Sequence, residues 1–368
     1  MQEQQLVECI DKLLLSALEK RASDIHFEPY QHSYRIRMRI DGVLQNMSSP
    51  SLTLAKKIVA RLKIMAKLNI AEQRLPQDGQ LIIKNYTMRI STIPVQNGEK
   101  VVLRVMDNYE SELTLDDLGL TEDNLRTFRQ ILNQPQGLIL VTGPTGSGKT
   151  MTLYCGLKIL NQPSCNICSV EDPIEIPVEG INQTAVNPKA GLEFATVLRS
   201  LLRQDPDVIM VGEIRDYETA EIAIQAAQTG HLVLSTLHTN SSIEGITRLN
   251  QIGIERFLIA SCLKLIIAQR LVRKLCPYCK VIANELIIMD KKSIPHYIAK
   301  GCEKCIGGYV GRVGLYEFLV ITPDVQHQIL NEQAISPLNF ISLKKAGQHL
   351  VKNGITSLDE LNRVLGDI

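Results

Sequence analysis

Residues 143–150 match the phosphate-binding pattern G-x-x-x-x-G-K-[ST] at every fixed position. Glycines in such a loop let the backbone turn tightly, so that its N–H groups face the β and γ phosphates of a nucleotide. The lysine adds a positive charge, and the final hydroxyl can bind magnesium. The predicted nucleotide site comprises Gly143, Pro144, Thr145, Gly146, Ser147, Gly148, Lys149 and Thr150, with Thr150 as the magnesium ligand.

Two acidic segments could complete this site. Glu171, Asp172 and Glu175 follow a short apolar strand one crossover after the loop, where they could hold magnesium through water or orient the attacking water. A solvated surface or the start of a helix would explain the same three residues. Glu213 ends a second apolar run in a Walker B arrangement, although Gly212 occupies the usual aspartate position. Glu213 is therefore the best candidate to polarise the nucleophilic water.

Basic and imidazole side chains form the third group of candidates. Arg199 and Arg203 are four residues apart and share one face of a predicted helix. They indicate either a contact to phosphate or to the acidic segment, or an ordinary exposed basic face. His231 and His238 stand at the two ends of an apolar strand, where histidine is usually structural. His238 lies at the carboxyl end, where a nucleotide is expected, and we predict that it senses phosphate.

Four of the nine cysteines form two C-x-x-C pairs at a separation close to that of zinc ribbons. This spacing predicts one structural zinc ion with four thiolate ligands, and four core thiols are the alternative. A third pair, Cys165 and Cys168, is a weaker indication of a metal site. Cys168 falls on a predicted strand, so packing in the core is the favoured role for this pair. The predicted zinc ligands are Cys276, Cys279, Cys302 and Cys305.

Composition narrows the class of protein. The chain has 368 residues, enough for two or three domains, and its 40 basic and 39 acidic residues nearly cancel. Aromatic residues make up 4% and tryptophan is absent, which leaves few stacking platforms and disfavours a nucleic-acid translocase. No run reaches the ~20 apolar residues of a membrane span, and the start lacks the pattern of a signal peptide. We therefore expect a cytoplasmic protein.

The elements that must position these motifs follow two patterns. Residues 1–22 predict an amphipathic helix, and strands of alternating polarity follow, in which Arg35, Arg37 and Arg39 share one face. This part reads as a small α+β domain, and the acidic stretch after it is a candidate linker. Farther on, helices alternate with apolar strands. That alternation predicts a parallel sheet with the phosphate loop at the carboxyl end of a strand.

The motifs together closely resemble those of the secretion ATPases of type II secretion and type IV pilus systems. The resemblance covers about residues 6–365. It rests on the phosphate loop and on residues 22–28, 74–79, 170–175, 202–216, 231–238, the tetracysteine segment and residues 311–317.

This resemblance implies a hexameric ring that turns ATP hydrolysis into movement of an inner-membrane platform protein, which extracts pilin or pseudopilin subunits from the bilayer. It implies ATP, Mg²⁺ and Zn²⁺ as cofactors, a position at the inner membrane held through partners, and no nucleic-acid ligand. It also implies that the first domain supplies arginines to a neighbour's nucleotide. Arg74, Arg89 and Arg104 match those positions, and a plain surface role is the alternative for each. The predicted catalytic residues are Glu213, Glu171, Glu175, Lys149, Arg74 and Arg89.

Within the family, the cysteine pairs resemble those of assembly and secretion motors, since retraction motors generally lack them. Residues 180–189 and 226–231 favour pilus assembly, with type II secretion or DNA uptake as the alternative. Two features depart from the family pattern. Gln80 stands where relatives often have arginine, and the chain begins at the small α+β domain without the further domain by which many relatives dock. We expect docking through another surface, or to a different partner.

The predicted fold is α/β, with a RecA-like P-loop core, a small N-terminal PAS-like α+β domain and a C-terminal zinc-binding subdomain. Two rival functions stand beside the motor: a nucleic-acid translocase on the same core, and a scaffold that binds nucleotide only to assemble. The predicted boundaries are 1–107 for the N-terminal domain, 108–117 for the linker, 118–271 for the core, 272–310 for the tetracysteine subdomain and 311–368 for a C-terminal helical segment.

Overall fold

A computed structural model of the chain describes residues 3–84, 86–106, 113–289 and 292–366. The chain divides into two compact units, Met1–Glu110 and Ser111–Ile368. Residues 107–112, where the predicted linker begins, lie outside the described residues. The rest of that acidic stretch belongs to the second unit, because Leu115 and Leu118 of a short 3₁₀ helix are buried in its core.

The elements of the first unit are α1 (Glu3–Glu19), β1 (Ala22–Pro29), β2 (Tyr34–Ile40), β3 (Val43–Ser48), α2 (Leu52–Met65), β4 (Gln77–Ile83), β5 (Tyr86–Val95) and β6 (Gly98–Met106). The six strands form an antiparallel sheet in the order β3-β2-β1-β6-β5-β4. Alternation along the strands buries Ile25 and Met38, while α1 contacts both β1 and α2.

The other face of this sheet is charged, as the alternating arginines predict. Arg37 Nη2 lies 2.8 Å from Glu28 Oε1, and Arg35 Nε lies 3.3 Å from Glu28 Oε2. Asp24 pairs in the same way with Arg39 and with Arg104 of β6. The charged side chains therefore form a connected layer over β1, β2 and β6.

The elements of the second unit are α3 (Glu122–Leu132), β7 (Gly137–Thr142), α4 (Lys149–Leu160), β8 (Ile167–Glu171), β9 (Asn182–Ala185), α5 (Phe194–Leu201), β10 (Val208–Val211), α6 (Tyr217–Gln228), β11 (Leu232–Leu237), α7 (Ser242–Ile252), α8 (Arg256–Cys262), β12 (Leu263–Leu275), β13 (Val281–Ile282), β14 (Ile287–Met289), β15 (Lys292–Ile294), β16 (Tyr297–Ile298), β17 (Tyr309–Val320), α9 (Pro323–Leu330), α10 (Leu343–Lys352) and α11 (Leu358–Leu365).

Seven of these strands form one sheet in the order β17-β12-β7-β11-β10-β8-β9. All neighbouring pairs are parallel except β12 and β17. Every residue of β7, β8, β10 and β11 is buried, because separate apolar clusters cover the two faces of the sheet. Helices on both faces of a mainly parallel sheet make this the α/β core that the sequence predicts.

The sequence-based boundaries differ from the structure around β12 and β17. These strands pair from Leu265 opposite Val320 to Leu275 opposite Tyr309. The predicted end of the core at residue 271 falls inside β12, and the segment expected to be helical from residue 311 begins as a strand. A continuous apolar run does not distinguish a buried strand from a buried helix, and here long-range pairing selects the strand. Among the described helices, none has the length and apolar character needed to cross a bilayer.

Candidate nucleotide site

The phosphate loop joins the carboxyl end of β7 to the first turn of α4 and presses closely on β12. Gly143 has φ 150° and Gly148 has φ 87°, values that favour glycine. A Cβ on Gly143 would lie 2.4 Å from the carbonyl oxygen of Gln269, and a Cβ on Gly148 would lie 2.8 Å from Gln269 Nε2. Glycine is therefore required at both positions by the backbone conformation and by the neighbouring strand.

Lys149 and Ser147 are the buried polar side chains of the loop. The Lys149 side chain is buried over the loop, where its ammonium donates to Gly143 O at 2.9 Å and to Pro144 O at 3.2 Å. The hydroxyl oxygen of Ser147 is buried and has no hydrogen-bond partner among the residues that the structure describes. Because the loop leads into the N-terminus of α4, backbone N–H groups and a positive charge converge where phosphate would bind.

Glu213 and His238 lie at the same edge of the sheet, after β10 and β11. His238 Nε2 is 3.5 Å from Glu213 Oε2, and the Arg215 guanidinium donates to Glu213 Oε1. Burial lowers the pKa of Lys149, and the negative charge of Glu213 opposes that shift. The structure thus brings together three of the predicted site residues: Lys149, Glu213 and His238.

His238 has the electrostatic surroundings of a neutral imidazole. Burial lowers its pKa, the positive charge of Lys149 lowers it further, and Glu213 acts in the opposite direction. A histidine with a pKa below its ordinary value is neutral at pH 7 and carries one ring N–H donor. His238 can therefore donate a hydrogen bond at the carboxyl edge without adding a full positive charge.

Glu171 lies in different surroundings from Glu213. Its side chain is buried and accepts hydrogen bonds from the Tyr154 hydroxyl, from Ser169 Oγ at 2.6 Å and from Gln183 Nε2 at 3.1 Å. Its strand, β8, is separated from β7 by β11 and β10, which places it about 14 Å away across the sheet. The structure does not bring Glu171 to the phosphate loop. Glu171 instead ties α4 to β8 through the hydroxyl of Tyr154.

The remaining predicted contacts of the acidic and basic segments lie on the surface. Glu175 is exposed, and Asp172 Oδ2 is 4.0 Å from Arg215 Nη1. Arg199 Nη2 is 2.7 Å from Glu218 Oε1, while Arg203 donates to the carbonyl oxygen of Arg199 at 3.0 Å. Both arginines are exposed, Arg199 on α5 and Arg203 in the turn that follows it, and both are engaged locally in the single chain.

The three arginines predicted to reach a neighbour's nucleotide, Arg74, Arg89 and Arg104, have exposed side chains. Arg104 faces Arg89 across β5 and β6, and Arg89 faces Gln80 across β4 and β5. Gln80 is therefore a strand residue beside Arg89. Arg74 has 89% of its side chain exposed, and its backbone N–H is held by Glu72 Oε1 at 2.6 Å. Arg104 Nε lies 3.1 Å from Asp24 Oδ1, and 64% of the Arg104 side chain is exposed.

The four predicted zinc ligands converge in one lobe between β12 and β17. Their sulfur atoms all lie within 4.8 Å of one another. Three separations are 3.9 Å for Cys276–Cys302, 3.7 Å for Cys279–Cys305 and 3.6 Å for Cys302–Cys305. Tetrahedral zinc with Zn–S bonds of about 2.3 Å places thiolates about 3.8 Å apart. The donor set and its spacing fit a structural zinc ion that would organise the lobe.

Sequence reasoning missed Gln269 and Arg270, which lie against the phosphate loop from β12. Gln269 Oε1 accepts from the Thr152 hydroxyl at 2.7 Å and so ties the strand to α4. Both residues are buried and lie inside the run Leu265–Val272 of β12, whose other residues are apolar. The polar pair inside a long apolar run could have indicated a functional contact. Buried polar groups need hydrogen-bond partners, and here those partners lie on α4 and in the segment after β11.

Comparison with known proteins decides the family. A family model described as "Type II/IV secretion system protein" matches residues 1–363. The chain belongs to this family. It is 47% identical to the type IV pilus assembly ATPase PilB of Acinetobacter baylyi, over 99% of this chain and 67% of that protein. It is also 47% identical to the type II secretion system ATPase E of Vibrio cholerae, over 98% of this chain and 75% of that protein.

A solved structure of the pilus retraction motor PilT with bound ADP has the same fold. It is 27% identical, with a TM-score of 0.64, and the match covers 96% of each chain. The predictions of an α/β secretion-ATPase fold and of an ATPase are therefore confirmed at the level of the family. The structure adds the arrangement of Lys149, Glu213 and His238 in this member.

Proposed function

We propose that this chain is the ATP-hydrolysing subunit of a hexameric ring that powers type IV pilus assembly. The ring would act on an inner-membrane platform protein from the cytoplasmic side and would be held at the membrane by that partner. The observation that carries the ATPase part is the grouping of Lys149, Glu213 and His238 at the carboxyl edge of the sheet. The similarity to a pilus assembly ATPase along almost the whole chain supports the pilus part.

Each residue of the site has a separate task in this proposal. The loop amides and Lys149 bind and orient the β and γ phosphates of ATP. Thr150, in the first turn of α4, would hold Mg²⁺, which neutralises charge on the phosphates when it is bound. Glu213 polarises the attacking water and receives its proton, and His238 donates its N–H toward the γ phosphate. Lys149, Glu213 and His238 all lie at one edge of the sheet, which places them close together for this reaction.

Type II secretion is the second candidate for the machine. It is favoured by the ATPase E of Vibrio cholerae, which is as similar to this chain as the pilus relative is. DNA uptake by a related machine belongs to the same alternative. A nucleic-acid translocase is not favoured, because both relatives are named for pilus assembly or secretion.

Gene deletion tests the choice of machine. We expect the deleted strain to lose surface pili and to regain them on complementation with the native chain, but not with Lys149→Ala. Pili would be counted by electron microscopy, with DNA uptake and secreted enzymes assayed in the same strains. Loss of secreted enzymes with intact pili would overturn the pilus proposal in favour of type II secretion.

A further inference from the structure

Arg270 lies directly behind the phosphate loop with 7% of its surface exposed. Its Nη1 donates to Gln269 O at 3.0 Å, which is the oxygen that excludes a side chain at Gly143. The same Nη1 would lie 3.2 Å from a Cβ on Gly143. One end of the guanidinium therefore rests against the backbone where the loop begins.

The other end of the guanidinium holds the segment that carries His238. Arg270 Nη2 donates to Asn240 O at 3.0 Å and to Asn240 Oδ1 at 3.3 Å. Thr239, between His238 and Asn240, donates its backbone N–H to Thr142 Oγ1 at 2.8 Å. Arg270 thus links the segment after β11 to Gln269 of β12, whose carbonyl oxygen packs against the start of the phosphate loop.

Glu317 anchors this segment from its far side. Its Oε1 accepts from the Ser242 N–H at 2.8 Å and from Ser242 Oγ at 2.6 Å, and its Oε2 accepts from the Leu343 N–H at 3.0 Å. One buried carboxylate therefore satisfies the first turns of both α7 and α10. The oxygens of Asn240 that receive Arg270 are consequently held in a fixed place.

The positive charge of Arg270 also acts electrostatically on Lys149 of the nucleotide site. The hydrogen bonds of its guanidinium described above end on neutral oxygens. Its positive charge adds to the effect of burial in lowering the pKa of Lys149. The negative charges of Glu317 and Glu244 also act on Arg270 and offset part of its charge. The remaining positive charge of Arg270, with that of Lys149, favours an anion at the loop, because charges interact more strongly where water is excluded.

We propose that Arg270 is a positioning residue of the nucleotide site, which fixes the phosphate loop and the His238 segment in one relative geometry and adds positive charge behind the loop. Planarity suits arginine to this task, because its fork spans the acceptors at Gln269 and Asn240, whereas lysine offers a single point of contact. The inference rests on ATP binding at the phosphate loop and does not depend on which machine the motor drives.

Two substitutions separate geometry from charge. Arg270→Lys keeps the charge and loses the fork, so we expect kcat to fall about 10- to 100-fold while the Kd for ADP stays within about threefold. Arg270→Gln also loses the charge, so we expect the same fall in kcat together with roughly tenfold weaker ADP binding. Phosphate release gives kcat, and calorimetric titration of the full-length protein gives the Kd for ADP.

Arg273→Lys is the matched control on the same strand. Arg273 contacts Glu360 and not the loop, so we expect a lower melting temperature with kcat and the Kd for ADP within about twofold of native. Equal losses of kcat in Arg270→Lys and Arg273→Lys, or native kcat in Arg270→Lys, would overturn the positioning role. A native protein that fails to bind ADP would overturn the nucleotide site itself.

Discussion

Glu213 follows β10 and Glu171 ends the adjacent strand β8, but the two side chains have different surroundings. Glu213 keeps 15% of its side chain exposed and lies beside His238. Both oxygens of Glu171 already accept hydrogen bonds from buried donors. A carboxylate that orients water must direct an oxygen toward the nucleotide, so Glu213 is the better candidate for that role.

Glu213→Gln tests the role of the acid near His238. We expect hydrolysis to slow by about 100- to 10,000-fold, because an amide cannot accept a proton from water. ADP binding should persist, since Lys149 and the loop amides are unchanged. Phosphate release and ADP titration measure the two effects, with Glu179→Gln as an exposed acidic control in the same unit. Near-native turnover in Glu213→Gln would assign the water-orienting role to another group.

Glu171→Gln tests a structural role for the buried acid. Burial raises the pKa of Tyr154, and its hydrogen bond to Glu171 raises it further, which keeps the phenol as a donor. We expect the free energy of unfolding to fall by about 2 kcal/mol, because hydrogen bonds to a buried charge are weakened. Denaturant unfolding measures this loss, and turnover per folded molecule should be retained. A stable protein without turnover would instead support the catalytic role predicted from the sequence.

At the scale of elements, Glu360 fastens α11 to β12. It accepts from Arg273 Nη2 at 2.7 Å and from Arg363 Nη2 at 2.7 Å. Burial alone would raise the pKa of Glu360, but the hydrogen bonds from both arginines outweigh it and lower the pKa to about 2. The ionised carboxylate is therefore strongly favoured in the folded state.

The two ion pairs of Glu360 predict a specific acid sensitivity. Because the folded pKa lies below the unfolded one, the stabilisation is fully present above about pH 5 and is lost as the pH falls toward 2. We expect Glu360→Gln to lower the free energy of unfolding at pH 7 by about 3 kcal/mol, since two arginines lose their partner. Unfolding followed from pH 7 to pH 2 should show a shallower dependence in the variant, and an unchanged dependence would contradict the assignment.

The tetracysteine lobe predicts one zinc ion per chain. The Cys276→Ser and Cys279→Ser double variant should lose that ion, because two of four thiolates are removed and the remaining pair binds weakly. Elemental analysis of purified protein measures the content, and Cys262→Ser, a buried thiol outside the lobe, serves as the control. Absence of zinc from the native protein would exclude the site.

The sequence predicted those parts of the site whose residues are close together along the chain. The phosphate loop is one continuous motif, and short apolar runs located β8, β10 and β11. The Walker B pattern already favoured Glu213, but the apolar runs do not show the order of the strands. The sequence therefore could not show that β8, with Glu171, lies three strands from β7. Arg270 escaped notice because its acceptors, at Gln269 and Asn240, are set by how β12 packs beside the loop.

At the scale of the whole molecule, the exposed arginines raise the question of what they contact. Arg89 and Arg104 are neighbours on one sheet. Arg74 lies in a bend, where its backbone N–H donates to Glu72 Oε1. An arginine supplied to a transferring phosphate accelerates hydrolysis by about 10³ to 10⁵ in related systems. In a ring, such a residue can come from the adjoining subunit, because head-to-tail interfaces place different surfaces of two copies together.

Mixing two inactive variants tests this arrangement. One variant carries Glu213→Gln with its arginines intact, and the other carries Arg74→Ala and Arg89→Ala with its own site intact. If the arginines act between subunits, an equal mixture should recover up to about a quarter of native turnover, since one boundary in four joins two intact halves. Phosphate release measures the recovery, and mixtures with Lys149→Ala, whose arginines are also intact, provide a second pairing. Activity no higher than that of the separate variants would exclude sharing.

The lobe between β12 and β17 has a consequence for how such motors diversify. Leu275 pairs with Tyr309, and the Cys276 N–H donates to Gly308 O at 2.8 Å, so the chain leaves the sheet and returns to it at adjacent points. A segment with adjoining ends can be gained or lost in evolution by exchanging it for a tight turn, without moving any strand of the core. The core can thus keep its strand order and its phosphate loop whether or not the tetracysteine lobe is present.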